Sequence, residues 1–113
     1  MKLKVLIALF AAFLMPATVL AAGQKGNAKA GHEVFEAHCQ MCHGDHGQGN
    51  PAVGRMLGAK IPDLGSKQVQ SLTDAQIRNV IEHGHIKMPP VHGVSSTEIS
   101  NVIAFVRTLA EKK

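Results

Sequence analysis

The only two cysteines of the chain, Cys39 and Cys42, are separated by two residues, and His43 follows them directly. This spacing is that of the attachment motif of a c-type haem. The two thiols add to the two vinyl groups of the porphyrin, and the histidine supplies a nitrogen ligand to the iron. A covalently held group of this size would become the main hydrophobic centre of a small chain, so the polypeptide must fold around it.

Two other kinds of site also contain a Cys-x-x-Cys pair. A thioredoxin-like redox site needs a cytosolic chain in which strands and helices alternate around the pair. A structural zinc site needs four ligands, so histidines would have to supply two of them, and their spacing does not suggest such a set. The histidine next to the pair favours haem attachment over both alternatives, and also over a disulfide between Cys39 and Cys42.

The first 22 residues have the composition of a secretory signal peptide. Lys2 and Lys4 precede an apolar run, and small residues then favour cleavage near Ala21 or Ala22. The alternative is an uncleaved membrane anchor, which Pro16 disfavours because it interrupts the apolar run.

An exported chain with a haem motif indicates the bacterial periplasm, an oxidising compartment. We therefore predict a signal peptide at residues 1–22 and a single small domain at residues 23–113. We expect contact with a membrane only if the signal is not cleaved.

The charge balance argues against nucleic-acid binding. The chain has 12 basic and 8 acidic residues, but Lys2 and Lys4 belong to the signal segment. Two haem propionates would offset most of the remaining excess. The chain has no Trp or Tyr to stack on bases and no run of five basic residues.

Capping signals and apolar periodicity predict an all-α fold with three main helices and connecting loops. The first helix spans residues 28 to about 38. The second follows Thr73, which forms a capping box with Gln76, and it ends at Gly84. Residues 44–50 favour turns, and residues 51–64 predict a loop with at most a short helix near residues 53–57.

The third helix has the strongest signal. Ser95 and Glu98 form a second capping box. One buried stripe follows at helical spacing and is widened by two further apolar residues: Ile99, Val102, Ile103 and Val106, with Phe105 and Leu109. Residues 86–90 cannot be helical, because two prolines fix φ and remove hydrogen-bond donors.

The identity of the second axial ligand decides what the haem can do. Met88 is the best candidate, because it follows the helix stop and precedes Pro89 and Pro90, which make its loop rigid. Met41 lies between the attached cysteines, and Met56 is expected to pack in a loop. Three histidines that flank the same loop remain alternatives: His83, His85 and His92.

The chain resembles the class I cytochromes c, which are mono-haem periplasmic electron carriers. Residues 39–43 match the haem motif of that family, and residues 87–89 match its axial-methionine loop. The resemblance covers about residues 28–109. It implies a small cytochrome c fold with loops wrapped around one haem c, attached through Cys39 and Cys42 and ligated by His43 and Met88.

Two helices also carry the resemblance. Gly31 and Phe35, eight and four residues before Cys39, match the small and aromatic positions of the family's first helix. Phe105 matches the aromatic position of the last helix that packs against them. Since Gly31 has no side chain, the two helices can approach closely there and the two phenylalanine rings can meet.

The family also implies hydrogen bonds around the haem. A proline carbonyl accepts the second N–H of the proximal histidine, and here Pro51 or Pro62 is expected to supply it. A Trp or Tyr often binds a propionate in this family. Both are absent here, so the expected substitutes are Gln48, Asn50, Arg55 or Lys60.

These features predict a monomeric, diffusible electron carrier and not an enzyme, because filled axial positions leave no place for a substrate. Its partners would be redox proteins, with a membrane oxidase or reductase as one candidate. The first alternative is a fixed haem subunit of a larger membrane oxidoreductase complex. The second is a haem enzyme or sensor with an open or bis-histidine site.

Overall fold

The fold is described by a computed structural model over residues 25–112, with side chains as far as residue 110. The predicted signal segment lies outside the described residues. Within them the chain forms helices and no strand, which confirms the prediction of an all-α fold. The helices are Ala28–His38 (α1), Gln40–His43 (α2), Pro51–Leu57 (α3), Lys67–Gln70 (α4), Asp74–His83 (α5) and Ser96–Thr108 (α6), followed by a 3₁₀ turn at Leu109–Lys112.

Helix α1 crosses α6 at Gly31, and the crossing is the centre of the fold. A Cβ atom at Gly31 would overlap the carbonyl group of Asn101 on α6, so only glycine permits this approach. The rings of Phe35 and Phe105 meet beside it, with centroids 5.0 Å apart and planes at 55°. The predicted contact between the two aromatic positions is confirmed.

Capping boxes begin helices α5 and α6, as predicted. In α5 the Thr73 hydroxyl accepts a hydrogen bond from the Gln76 N–H at 3.1 Å, and the Gln76 side chain accepts one from the Thr73 N–H at 2.8 Å. Ser95 and Glu98 form the same pair of bonds at 3.1 and 2.7 Å. Each box satisfies two N–H groups that have no partner inside the helix.

The core lies between α1, α5 and α6 and is apolar. Phe35 is 1% exposed and is the most deeply buried large side chain of the described residues. The other buried members of this cluster come from α5, α6 and the turn after it: Ile77, Ile81, Ile99, Val102, Ile103, Phe105 and Leu109. The apolar stripe predicted for the last helix is therefore its buried face.

Three short helices differ from the sequence predictions. α2 contains most of the cysteine motif, and α4 was not predicted. α3 begins at Pro51, two residues before the predicted start, because the Asn50 side chain accepts hydrogen bonds from Ala52 and Val53 as an N-cap. An asparagine cap followed by proline is a helix-start signal that could have located α3 from the sequence.

Candidate haem site

A single helical turn carries both cysteines. The Cys39 N–H ends α1 by donating to the Phe35 carbonyl at 2.8 Å. The N–H groups of Cys42 and His43 then donate back to the Cys39 carbonyl at 3.2 and 2.9 Å. The backbone thus turns once between the two thiols, which are free and half-buried. This is the compact turn that attachment of two sulfurs to one porphyrin requires.

Burial raises the pKa of the Cys39 thiol to about 11, with a smaller contribution from neighbouring Cys42. The thiol is therefore protonated at neutral pH, whereas redox-active and metal-binding cysteines act as thiolates of lowered pKa. Among residues 25–112, no group of three or more His, Cys, Asp or Glu side chains could hold a metal ion. The zinc alternative therefore lacks a ligand set in this part of the chain.

His43 is the one histidine of the described residues that is not exposed. Burial lowers its pKa, which favours the neutral imidazole, the form that binds metals. Its Nδ1 atom is buried and has no hydrogen-bond partner. Buried polar atoms in folded proteins rarely lack a hydrogen-bond partner. His43 therefore fits a site that holds a further group. The expected hydrogen bond, which the Nδ1 atom would donate to the carbonyl of Pro51 or Pro62, is not formed.

The glycine-rich segment after His43 folds back on the cysteine turn. Gly49 N–H donates to the His43 carbonyl at 2.7 Å, and Asn50 N–H donates to the Cys42 carbonyl at 2.9 Å. The Asn50 amide also donates to the Met41 carbonyl at 3.1 Å. These bonds join the attachment turn to the start of α3 and hold its backbone.

Two of the four expected propionate partners are engaged with backbone groups. The Asn50 side chain caps α3 through its oxygen and binds the Met41 carbonyl through its nitrogen. The Gln48 oxygen accepts a hydrogen bond from the His46 N–H at 2.9 Å. The other two, Arg55 and Lys60, are exposed.

Met88 closes a two-residue turn. His85 N–H donates to the Met88 carbonyl and Met88 N–H donates to the His85 carbonyl, both at 2.9 Å. Between them lies Ile86, whose φ of +51° makes it the one non-glycine residue of the described chain in the left-handed region. Such a conformation costs on the order of 1–3 kcal/mol and persists where the surrounding structure imposes it.

The methionines and histidines considered as second ligand differ in exposure. Met88 is half-buried, whereas Met41 is 77% and Met56 is 83% exposed. The Met56 side chain projects from α3. The alternative histidines are all exposed: His83, His85 and His92. His83 also has its Nδ1 3.2 Å from the Asn79 carbonyl oxygen.

Three further histidines lie near the attachment motif in the sequence and are exposed: His32, His38 and His46. His32 nevertheless stacks on Phe105, with ring centroids 4.8 Å apart, and approaches Glu36 at 3.5 Å. It therefore belongs to the rim of the helix crossing, a contact that sequence spacing alone did not reveal.

The comparisons with known proteins agree with this geometry. Residues 26–106 match the family described as cytochrome c oxidase, cbb3-type, subunit III. The chain belongs to this family. The match includes all four residues singled out from the sequence: Cys39, Cys42, His43 and Met88. The expectation of a c-type cytochrome is confirmed, and covalently bound haem c is the cofactor of this electron-transport domain.

Two individual proteins are similar to this member of the family. The cbb3-type cytochrome c oxidase subunit FixP of Azorhizobium caulinodans is 34% identical over 79% of this chain, which spans only 29% of FixP. The solved structure of KustC0563, a c-type cytochrome, has a TM-score of 0.59 and 26% identity. It covers 70% of this chain, and this chain covers 95% of KustC0563.

No helix of residues 25–112 is long and apolar enough to cross a membrane.

Proposed function

We propose that the chain passes single electrons through its haem c as a subunit of a membrane-bound oxidase complex of the cbb3 type. The observation that carries this proposal is the family match over residues 26–106, which contains the whole predicted site. The similarity to FixP, named as an oxidase subunit, supports it further. A docked subunit, the first alternative from the sequence, therefore takes precedence over a freely diffusing carrier.

Each site residue has a separate task in this proposal. Cys39 and Cys42 hold the porphyrin by thioethers from one turn of backbone. His43, whose lowered pKa favours the neutral imidazole, would supply the proximal nitrogen. Met88 supplies the sulfur ligand from its closed turn. Bound haem c supplies an iron that alternates between the ferrous and ferric states.

With His43 and Met88 both holding the iron, the site would be an electron-transfer centre and not a catalytic one. Two protein ligands to the iron would leave little to rearrange when an electron is transferred. A thioether ligand together with a histidine would also raise the reduction potential. No position would then be open to a substrate at rest, and we therefore propose no enzymatic activity for the chain itself.

The protein offers apolar and charged groups for the rest of the cofactor. Leu57 on α3 is exposed, and a porphyrin would remove such a group from water. We assign the propionates to Arg55 and Lys60, because charged donors bind carboxylates more strongly than neutral amides do and both residues are exposed.

Replacement of Met88 by Ala tests the ligand assignment. We expect the haem to remain attached, the methionine–iron charge-transfer band of the ferric protein to disappear and the reduction potential to fall. Met56→Ala, which removes an exposed methionine, should change neither spectrum nor potential. A wild-type spectrum in Met88→Ala would exclude Met88 as a ligand.

A diffusing periplasmic carrier is the second candidate, and one observation favours it. This chain covers 95% of KustC0563, so a c-type cytochrome of about this size exists as a separate chain. Purification from membranes at native abundance distinguishes the two. Co-purification with a membrane oxidase supports the subunit, and recovery as a monomer in the periplasmic fraction supports the carrier. N-terminal sequencing of the mature protein would test cleavage near Ala21 or Ala22.

A further inference from the structure

The turn before Met88 has a backbone conformation that its sequence does not favour. A two-residue turn closed by mutual hydrogen bonds usually carries glycine or asparagine where φ is positive. Here Ile86 occupies that position with φ of +51°. Isoleucine branches at Cβ, and branched residues are genuine outliers in this region.

Burial of the Ile86 side chain against the protein does not offset this strain. The side chain is 87% exposed, so it gains little from contacts with the polypeptide. Glycine would form the same turn without strain. Isoleucine at this position therefore makes the turn less stable than glycine would.

Anchors on both sides impose the conformation. Gly84 ends α5 with φ of +79° and donates to the Val80 carbonyl at 2.8 Å. A Cβ atom at Gly84 would come within 2.6 Å of the Met88 carbonyl oxygen. After the turn, Val91 N–H donates to the Ile81 carbonyl at 2.9 Å. Both ends of the segment are thus fixed to α5, and the turn between them can relax only if its own two hydrogen bonds, between His85 and Met88, open.

We propose that Ile86 is a positioning residue that holds the Met88 turn under strain, so that Met88 leaves the iron more readily than it would from a relaxed turn. The inference rests on the proposed ligation by Met88. Strain present while Met88 is bound is released when the turn opens, and this release favours any external ligand that takes the vacated position. The sixth position is then filled at rest but can be opened by a competing ligand.

Imidazole is the probe for this inference, because it binds ferric haem iron only where Met88 has left. We expect the imidazole dissociation constant of Ile86→Gly to be about tenfold higher than that of the wild type, equivalent to about 1.4 kcal/mol. Ile86→Asn, which tolerates the left-handed region, should shift in the same direction by a smaller factor. Ile86→Val keeps the branched Cβ and should stay within about twofold of the wild type.

Two further measurements separate the possible explanations. If the strain is unrelated to ligation, Ile86→Gly melts at a higher temperature but binds imidazole as the wild type does, and that result overturns the proposal. The proposal is also overturned if Ile86→Gly and the wild type have equal imidazole dissociation constants and equal melting temperatures. Absence of the methionine–iron band in the wild type would instead contradict the ligation by Met88, and both proposals would then fail.

Discussion

At the scale of single residues, burial decides the chemical state of the groups at the haem site. Burial lowers the pKa of His43, and it raises the pKa of Cys39 to about 11. The same environment thus favours the neutral imidazole and the protonated thiol. Neither effect depends on a neighbouring charge of opposite sign.

Phe105 should be a major contributor to stability, because it is 8% exposed and stacks on both Phe35 and His32. We expect Phe105→Ala to lower the free energy of unfolding by about 3–5 kcal/mol, as for other large-to-small core changes. Chemical denaturation of the haem-containing protein measures this. Met56→Ala, at an exposed position, should stay within about 0.5 kcal/mol, and a loss that small in Phe105→Ala would contradict its placement.

At the scale of the elements, the two long C-terminal helices begin in the same way but differ in chemistry. Gln76 completes the capping box of α5 with a neutral amide, whereas Glu98 completes that of α6 with a carboxylate. Hydrogen bonds from the Ser95 backbone and hydroxyl lower the pKa of Glu98. The box of α6 is therefore sensitive to pH and the box of α5 is not.

The effect of acid on α6 follows from the direction of that shift. Because the folded state favours the charged Glu98, its stabilising contribution is present above the ordinary carboxyl pKa and is lost as the pH falls through the lowered value. We expect Glu98→Gln to melt below the wild type near pH 6, and the difference to shrink between about pH 5 and pH 3. Thermal melts across this range measure it.

Gln76→Glu provides the matched control on α5. It should add an acid-sensitive stabilisation at the other capping box. A difference between Glu98→Gln and wild type that is the same at every pH would show that the carboxylate charge does not contribute.

At the scale of the whole molecule, Arg107 on α6 fixes the segment between α4 and α5. Its guanidinium donates to the carbonyls of Gln70, at 2.9 Å, and Leu72. It also pairs with the Asp74 carboxylate at 2.7 Å. The Gln70 amide in turn donates to the Val106 carbonyl at 3.0 Å. The C-terminal helix thus holds both the N-terminal helix, through Gly31, and this central connection.

We expect the hydrogen bonds from Arg107 to backbone carbonyls to contribute more to the free energy of unfolding than its ion pair does. Arg107→Met leaves two partly buried carbonyls without their donor and should lower the free energy of unfolding by about 1–3 kcal/mol. Asp74→Asn removes only an exposed charge, since that side chain is 71% exposed, and should lower it by at most about 1 kcal/mol. Denaturant titrations compare them, and equal losses would assign the effect to the ion pair.

The sequence by itself determined the cofactor, the all-α class and the limits of the main helices. Three features act through bonds between near neighbours in the chain: the motif at residues 39–43, the capping boxes and the stop at Gly84. Their patterns can therefore be recognised in the sequence without knowledge of the fold. The short helix α4 escaped prediction because one turn capped by Ser66 has too few residues for a periodic pattern.

Only the tertiary structure decided which distant groups meet. Sequence spacing could not show that the Asn50 side chain donates to the Met41 carbonyl. Nor could it show that Arg107 donates to the carbonyls of Gln70 and Leu72. Nor could local propensity predict positive φ at Ile86, because isoleucine avoids that region. The physical reason is that a turn anchored to α5 on both sides overrides the preference of the residue within it.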